Sequence, residues 1–189
     1  MNEIFFKQGL RIVDIALTQS TVQGDEVAYN VVWRRGLSSA GQLTDPATTW
    51  GHFRALATIR AAAGYRVVSM HAIGVPNEVD EWHAKGMFVA TWRNDVGQDE
   101  QVFLPALSGA EYHDALTTHI HDGLRSVAFN VLTIDGQAAV YAGVMRAGTG
   151  SEHASAALPW DDFMAEHAAN VAKGRRLADL TLYGGWMHF

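Results

Sequence analysis

Cysteine is missing from this 189-residue chain, which excludes disulfides and thiolate metal sites and suits a reducing compartment such as the cytoplasm. Long apolar runs are missing as well. No segment approaches the roughly 20 consecutive apolar residues that a membrane helix needs, so a soluble protein with no membrane partner is expected. Basic residues are in deficit, with 14 Lys and Arg against 20 Asp and Glu and a formal charge of -6. They are also scattered, whereas phosphate binding requires clustered cations, so no nucleic-acid partner is expected. The opening "MNEIFFKQGLRIVDIALTQS" carries Glu3 and basic residues inside its apolar run, the wrong pattern for a secretory signal. Linear reaction signatures are lacking too: there is no G-x-S-x-G, no H-E-x-x-H and no P-loop, and "GTGSEH" lacks the third glycine of a dinucleotide turn. A site assembled from distant segments would leave no such motif, so an enzyme stays open.

What is present is a repeat. Glycine followed two places later by arginine returns ahead of a short apolar run in "QGLRIVDIAL", "AGYRVVSMHA", "DGLRSVAFNV" and "KGRRLADLTL". The glycines are Gly9, Gly64, Gly123 and Gly174, spaced 55, 59 and 51 residues apart. The unit is thus about 50 residues long. Ahead of the glycine, Phe53, Ala57 and Ala61, then Tyr112, Leu116 and Ile120, then Phe163, His167 and Val171 step by four, as one face of a helix does. Ser108 with Glu111 forms a capping box for one of these helices, and Thr49 stands at the matching place in another. The glycine then fits the left-handed residue that ends a helix.

After the glycine, "RIVDIAL", "RVVSMHA" and "RSVAFNV" are rich in β-branched residues and too short for helices; "YNVVWR", "FVATWR" and "YAGVMR" follow as second strands. The expected fold is α+β, one domain over 1–189 built from tandem units of one helix plus an antiparallel hairpin. The units run approximately 1–36, 37–95, 96–148 and 149–189, the first and last incomplete. Arg34 to Ala47 and Arg146 to Ala157 read as connectors. Hairpins covered on one face by a helix need stacked neighbours to complete a core.

The helix closing on "GYR" or "GLR", the aspartate of "RIVD" and "RLAD", and the strands "YNVVW" and "FVATW" resemble the bacterial tandem-repeat modules found in the amino-terminal domain of polyglycine hydrolases. That resemblance extends over nearly the whole chain. It implies a lobed, partly open barrel of helices and hairpins, which in the family accompanies a serine hydrolase domain similar to β-lactamases. No serine here has a lysine three residues later, so the resemblance brings the scaffold and not the hydrolase activity.

Alternation along the first strand separates Val13 and Ile15, Val68 and Met70, Val127 and Phe129, Ala178 and Leu180, expected against the helices, from a polar face. That second face carries Asp14, Ser69, His71, Asn130, Asp179 and Thr181. Either it is an ordinary solvated sheet face, or its residues converge on a ligand. On the second strand Trp33 and Trp92 share a face with other aromatics and read first as a core layer, with a ligand platform as the alternative. Trp82 with His83 lies in the insertion "GVPNEVDEWHAKG", where a loop tryptophan can serve as a contact or lid. Nine histidines raise metal binding. His119 and His121 are two apart on a helix, about 200° around it, and cannot share an ion, so no metal and no cofactor are expected. His119 is expected exposed, and His167 on the apolar stripe reads as a core histidine rather than a ligand.

Two functions follow. The first is a non-catalytic recognition module holding a small molecule, peptide, polymer or protein partner on a concave repeat surface, with the incomplete terminal units as a possible route to a homo-oligomer. The second is a small cytoplasmic enzyme of isomerase, cyclase or hydrolase type. Its pocket would lie between repeats, with His71 and either Asp14 or Asp179 as its acid–base pair.

Overall fold

The computed structural model describes residues 7–19, 27–35, 41–74, 86–97, 99–132, 140–150, 152 and 158–177. In chain order they form β1 (Leu10–Gln19), β2 (Val27–Arg35), β3 (Gln42–Thr44), α1 (Trp50–Ala62), β4 (Arg66–Gly74), β5 (Gly86–Arg93), β6 (Gln101–Leu107), α2 (Gly109–His121), β7 (Leu124–Leu132), β8 (Val140–Ala147) and α3 (Trp160–Ala172). The fold is α+β. All strand pairs are antiparallel, in a two-stranded sheet β1-β2 and two three-stranded sheets ordered β3-β5-β4 and β6-β8-β7. None of these sheets closes into a barrel among the described residues. No described helix is long and apolar enough to cross a membrane.

The segment expected as a bare connector after Arg34 contains β3, and β6 occupies the corresponding place before α2. β3-α1-β4-β5 and β6-α2-β7-β8 thus follow the same order, strand, helix, strand, strand, and in each the leading strand pairs with the last. Three residues, Gln42–Thr44, are too few for alternation to show in sequence. In β6 the register is broken between Leu104 and Leu107, around Pro105, a residue that an edge strand tolerates because its outer N–H needs no partner.

Each helix end is built as the sequence indicates. Gly64, Gly123 and Gly174 have φ of 82°, 85° and 76°. At the first of them Gly64 N–H donates to Ala61 O (3.0 Å) and Tyr65 N–H to Arg60 O (2.8 Å), the paired bonds of a Schellman cap. The arginine that follows has a matching purpose. Arg66 Nη1 donates to Ala61 O (3.1 Å) and its Nε to Asp99 O (2.7 Å); Arg125 Nη1 donates to Ile120 O (3.1 Å) and its Nε to Gly150 O (2.7 Å). One guanidinium thus adds a second donor to a carbonyl of the last helical turn and fastens the segment that follows the hairpin. Gly64→Ala is expected to lower stability by about 1 kcal/mol or more, read by urea unfolding, because a Cβ is strained in the left-handed region. A neutral substitution would contradict the cap.

At the helix starts, Ser108 and Glu111 make the full capping box, Glu111 Oε2 accepting from Ser108 N (2.9 Å) and Ser108 Oγ from Glu111 N (3.4 Å). Thr49 holds the N-cap position of α1 with no side-chain cap bond.

Trp50, Phe53 and Ala57 of α1 are buried on Val67, Met70 and Ala72 of β4 and Phe88, Ala90 and Trp92 of β5. Tyr112 and Leu116 of α2 take the same places on Tyr141 and Met145 of β8. The second-strand aromatics Phe88, Trp92 and Tyr141 are a core layer, whereas in β2 Trp33 is half-buried and Tyr29 is exposed. Where α1 has Phe53 over Ala90, α2 has Tyr112 over Gly143, and a Cβ at Gly143 would stand 2.6 Å from the Tyr112 hydroxyl and 3.0 Å from Ala128 O. The larger ring is matched by the smaller residue beneath it. Helix α3 differs, having no buried residue among those described; Trp160, the counterpart of Trp50, is 62% exposed where Trp50 is 1%.

Candidate functional site

The polar strand residues are positioned by a bulge that sequence alternation does not show. Register shifts between Ile12 and Asp14 in β1, between Val67 and Ser69 in β4, and between Ser126 and Ala128 in β7. One extra residue at this point inverts the alternation behind it. The inward face is therefore Ile12, Ile15 and Leu17 in β1, and Val67, Met70 and Ala72 in β4. Val13, Val68 and Val127, expected beside Ile15, Met70 and Phe129, are the extra residues and are only half-buried.

Behind the bulge the other face is covered in β4 and β7, where Ser69 and Asn130 are buried and His71 is half-buried, while Asp14 of β1 is exposed. Val89 packs with Ile12, Ile15 and Leu17, while Ala128, Ala142 and Val144 pack with Met70 and Ala72. The back of each hairpin thus covers the core of the hairpin before it, and the polar residues sit in that joint. Ser69 Oγ donates to Asp14 Oδ1 (2.9 Å), and Ile15 N–H donates to both oxygens, at 2.9 Å to Asp14 and 3.3 Å to Ser69. His71 Nδ1 accepts from Leu17 N–H at 2.9 Å. One joint further on, Asn130 Oδ1 accepts from Ala72 N–H (3.0 Å) and Asn130 Nδ2 donates to Met70 O (3.1 Å). His71 and Asn130 each stand five residues past their unit's arginine, and their targets Leu17 and Ala72 each stand six past theirs.

Desolvation lowers the affinity of His71 for a proton below that of an ordinary imidazole, and the Asp14 carboxylate offsets part of this. As the acceptor of an amide N–H, the ring is neutral with Nδ1 unprotonated.

Three residues that sequence reading did not single out complete the joints. Gln42 Oε1 accepts from Ile12 N–H (2.8 Å) and its Nε2 donates to Ile12 O (2.6 Å); Gln101 does the same to Val67 at 2.9 and 3.0 Å; Glu152 Oε2 accepts from Ser126 N–H at 2.8 Å. Each grips the residue at which a bulge begins, on the outer side of its strand, where no neighbouring strand of the same sheet supplies partners. A signal existed: these residues stand eight places after Arg34, eight after Arg93 and six after Arg146.

The structure therefore brings Asp14, Ser69 and His71 together at one joint and places Asn130 at the next. Trp92 lies in the core under α1, and Trp33 is half-buried beside Ile12. Asp179, Thr181 and Trp82 lie outside the described residues. On α2, His121 is exposed, 3.7 Å from Asp122, whereas His119, expected exposed, is half-buried. His167 is half-buried and stacks on Phe163, ring centroids 5.9 Å apart. No three His, Asp or Glu among the described residues gather as metal ligands would.

Helix α2 and the hairpin after it carry a match to a known family. Residues 106–147, from the end of β6 through α2, β7 and β8, match the polyglycine hydrolase-like structural repeat. This is the repeat family that the sequence resembles. No curated protein matches the chain. The matched repeat contains the bulge at Ser126, the stitching Asn130 and the close approach of Tyr112 to Gly143, so its family description, a structural one, sits on the residues that join one hairpin to the next.

Proposed function

We propose that the chain is a non-catalytic recognition module: a single domain of four tandem units, arranged as a lobed, partly open barrel, that holds an extended peptide. One observation carries the choice of binding over chemistry. The groups an acid–base mechanism would need are already engaged in the fold, His71 Nδ1 by the Leu17 amide and the Asp14 carboxylate by the Ser69 hydroxyl and the Ile15 amide. A general base must have a free lone pair within reach of the substrate proton, and His71 spends its lone pair on the backbone. The structural-repeat match favours the same reading.

The family's name supplies a concrete probe. A fluorescently labelled polyglycine peptide incubated with the protein is expected to show a saturable rise in anisotropy, and mass spectrometry of the same mixture is expected to show the peptide intact. Cleavage would replace recognition by catalysis. Absence of binding up to millimolar protein would remove the peptide as ligand, since a Kd of 1 mM corresponds to only about 4 kcal/mol.

A further inference from the structure

The two joints do the same job with different chemistry. At each, a side chain five residues past the arginine accepts the amide of the preceding unit: His71 from Leu17, Asn130 from Ala72. Asn130 is a carboxamide and holds this bond at any pH. His71 can hold it only while Nδ1 carries no proton.

We propose that the joint between β1 and β4 is an acid-sensitive clasp, in which proton uptake at Nδ1 of His71 releases the Leu17 amide and frees that end of β1, while the joint between β4 and β7 is indifferent to pH. Protonation turns an acceptor into a donor facing another donor, so the bond is lost and the Leu17 N–H is left beside a cation. The opposite end of the joint does not titrate in this range, since Gln42 grips Ile12 through a carboxamide. The β1–β2 hairpin therefore pivots at Ile12 and opens at Leu17.

The charges around His71 set where this happens. Asp14 of β1 is the group that favours the imidazolium. From β5 the ring faces Val89, its register partner, and Arg93 at the far end of that strand is paired with Asp95. The charged residue of β7, Arg125, is engaged at the end of α2, and Arg66 of β4 itself at the end of α1. On β2, Arg34 and Arg35 pair with Arg11 and Leu10, at the end of the sheet away from Leu17. Burial outweighs the single carboxylate and lowers the folded pKa. The sign follows: the unfolded chain takes up the proton first, so the joint weakens as pH falls below the ordinary imidazole value near 6.5, and the loss is complete once pH is below the folded value.

Amide hydrogen exchange on the full chain tests this, with rates converted to protection factors to remove the intrinsic pH dependence. Between pH 7.5 and pH 5 the Leu17 protection factor is expected to fall several-fold relative to that of Ala72, as Nδ1 takes up its proton and the bond is lost. His71→Asn copies the neighbouring joint and is expected to abolish the relative fall; Asn130→His is expected to transfer it to Ala72. If either variant does not fold, the wild-type ratio still decides. A constant Leu17 to Ala72 ratio, or a relative fall that persists in His71→Asn, overturns the clasp.

Discussion

Phe53→Ala is expected to remove about 3–5 kcal/mol of folding free energy, while Phe163→Ala, the same change at the same place in a later helix, is expected to remove about 1 kcal/mol or less. Phe53 is 2% exposed and touches four aromatic rings, Trp50, Phe88, Trp92 and Phe103, with centroids 5.6, 5.9, 5.7 and 5.7 Å away. Truncation there deletes the apolar transfer energy and leaves a cavity whose rigid aromatic walls cannot collapse into it. Phe163 is half-buried and has Trp160 and His167 as ring neighbours on its own helix. Urea unfolding of both variants gives the comparison directly. Equal losses would mean that the apolar face of α3 is covered as fully as that of α1.

The second large effect concerns a polar residue. Asn130 is 1% exposed and satisfies two backbone groups on another strand. Asn130→Ala leaves the Ala72 N–H and the Met70 carbonyl buried without that partner, and at roughly 1–3 kcal/mol for each stranded group the expected cost is about 2–6 kcal/mol. Asn130→Asp retains an acceptor for Ala72 but loses the donor to Met70 and buries a charge, so it should be no milder. Both are measured as unfolding free energies at constant pH. A loss below about 0.5 kcal/mol in the alanine variant would show that water replaces the amide and that the joint does not depend on it.

The helix ends were legible in sequence because each is local. The buried pair Phe53 and Ala57, the left-handed Gly64 and the capping box of Ser108 and Glu111 all depend on residues within a turn or two of one another, although Ala61, read as the next step of the stripe, is exposed. The strand faces were legible only as far as the bulge. Alternation assumes one residue per pleat, and the extra residue at Val13, Val68 and Val127 breaks that assumption without any glycine to announce it. The candidate site was legible as a set of residues and not as a role. Asp14, Ser69, His71 and Asn130 do share a face, but what that face meets is another unit 54 to 60 residues away, a pairing no local period records. The short strands β3 and β6 and the grip of Gln42 and Gln101 depend on the same distant packing.

β1, β4 and β7 are all outer strands of their own sheets. A strand in that position ordinarily offers a row of unpaired amides to any extended chain that arrives, which is how sheet proteins begin to aggregate. Here the outward groups are taken singly by side chains: Ile12 by Gln42, Leu17 by His71, Val67 by Gln101, Ala72 by Asn130 and Ser126 by Glu152. An incoming strand would have to displace these bonds one at a time, each from a residue fixed elsewhere in the fold. The stitching that holds successive hairpins together thereby also keeps strangers off their borders, and its loss at any one point would expose a template for self-association as well as weaken a joint.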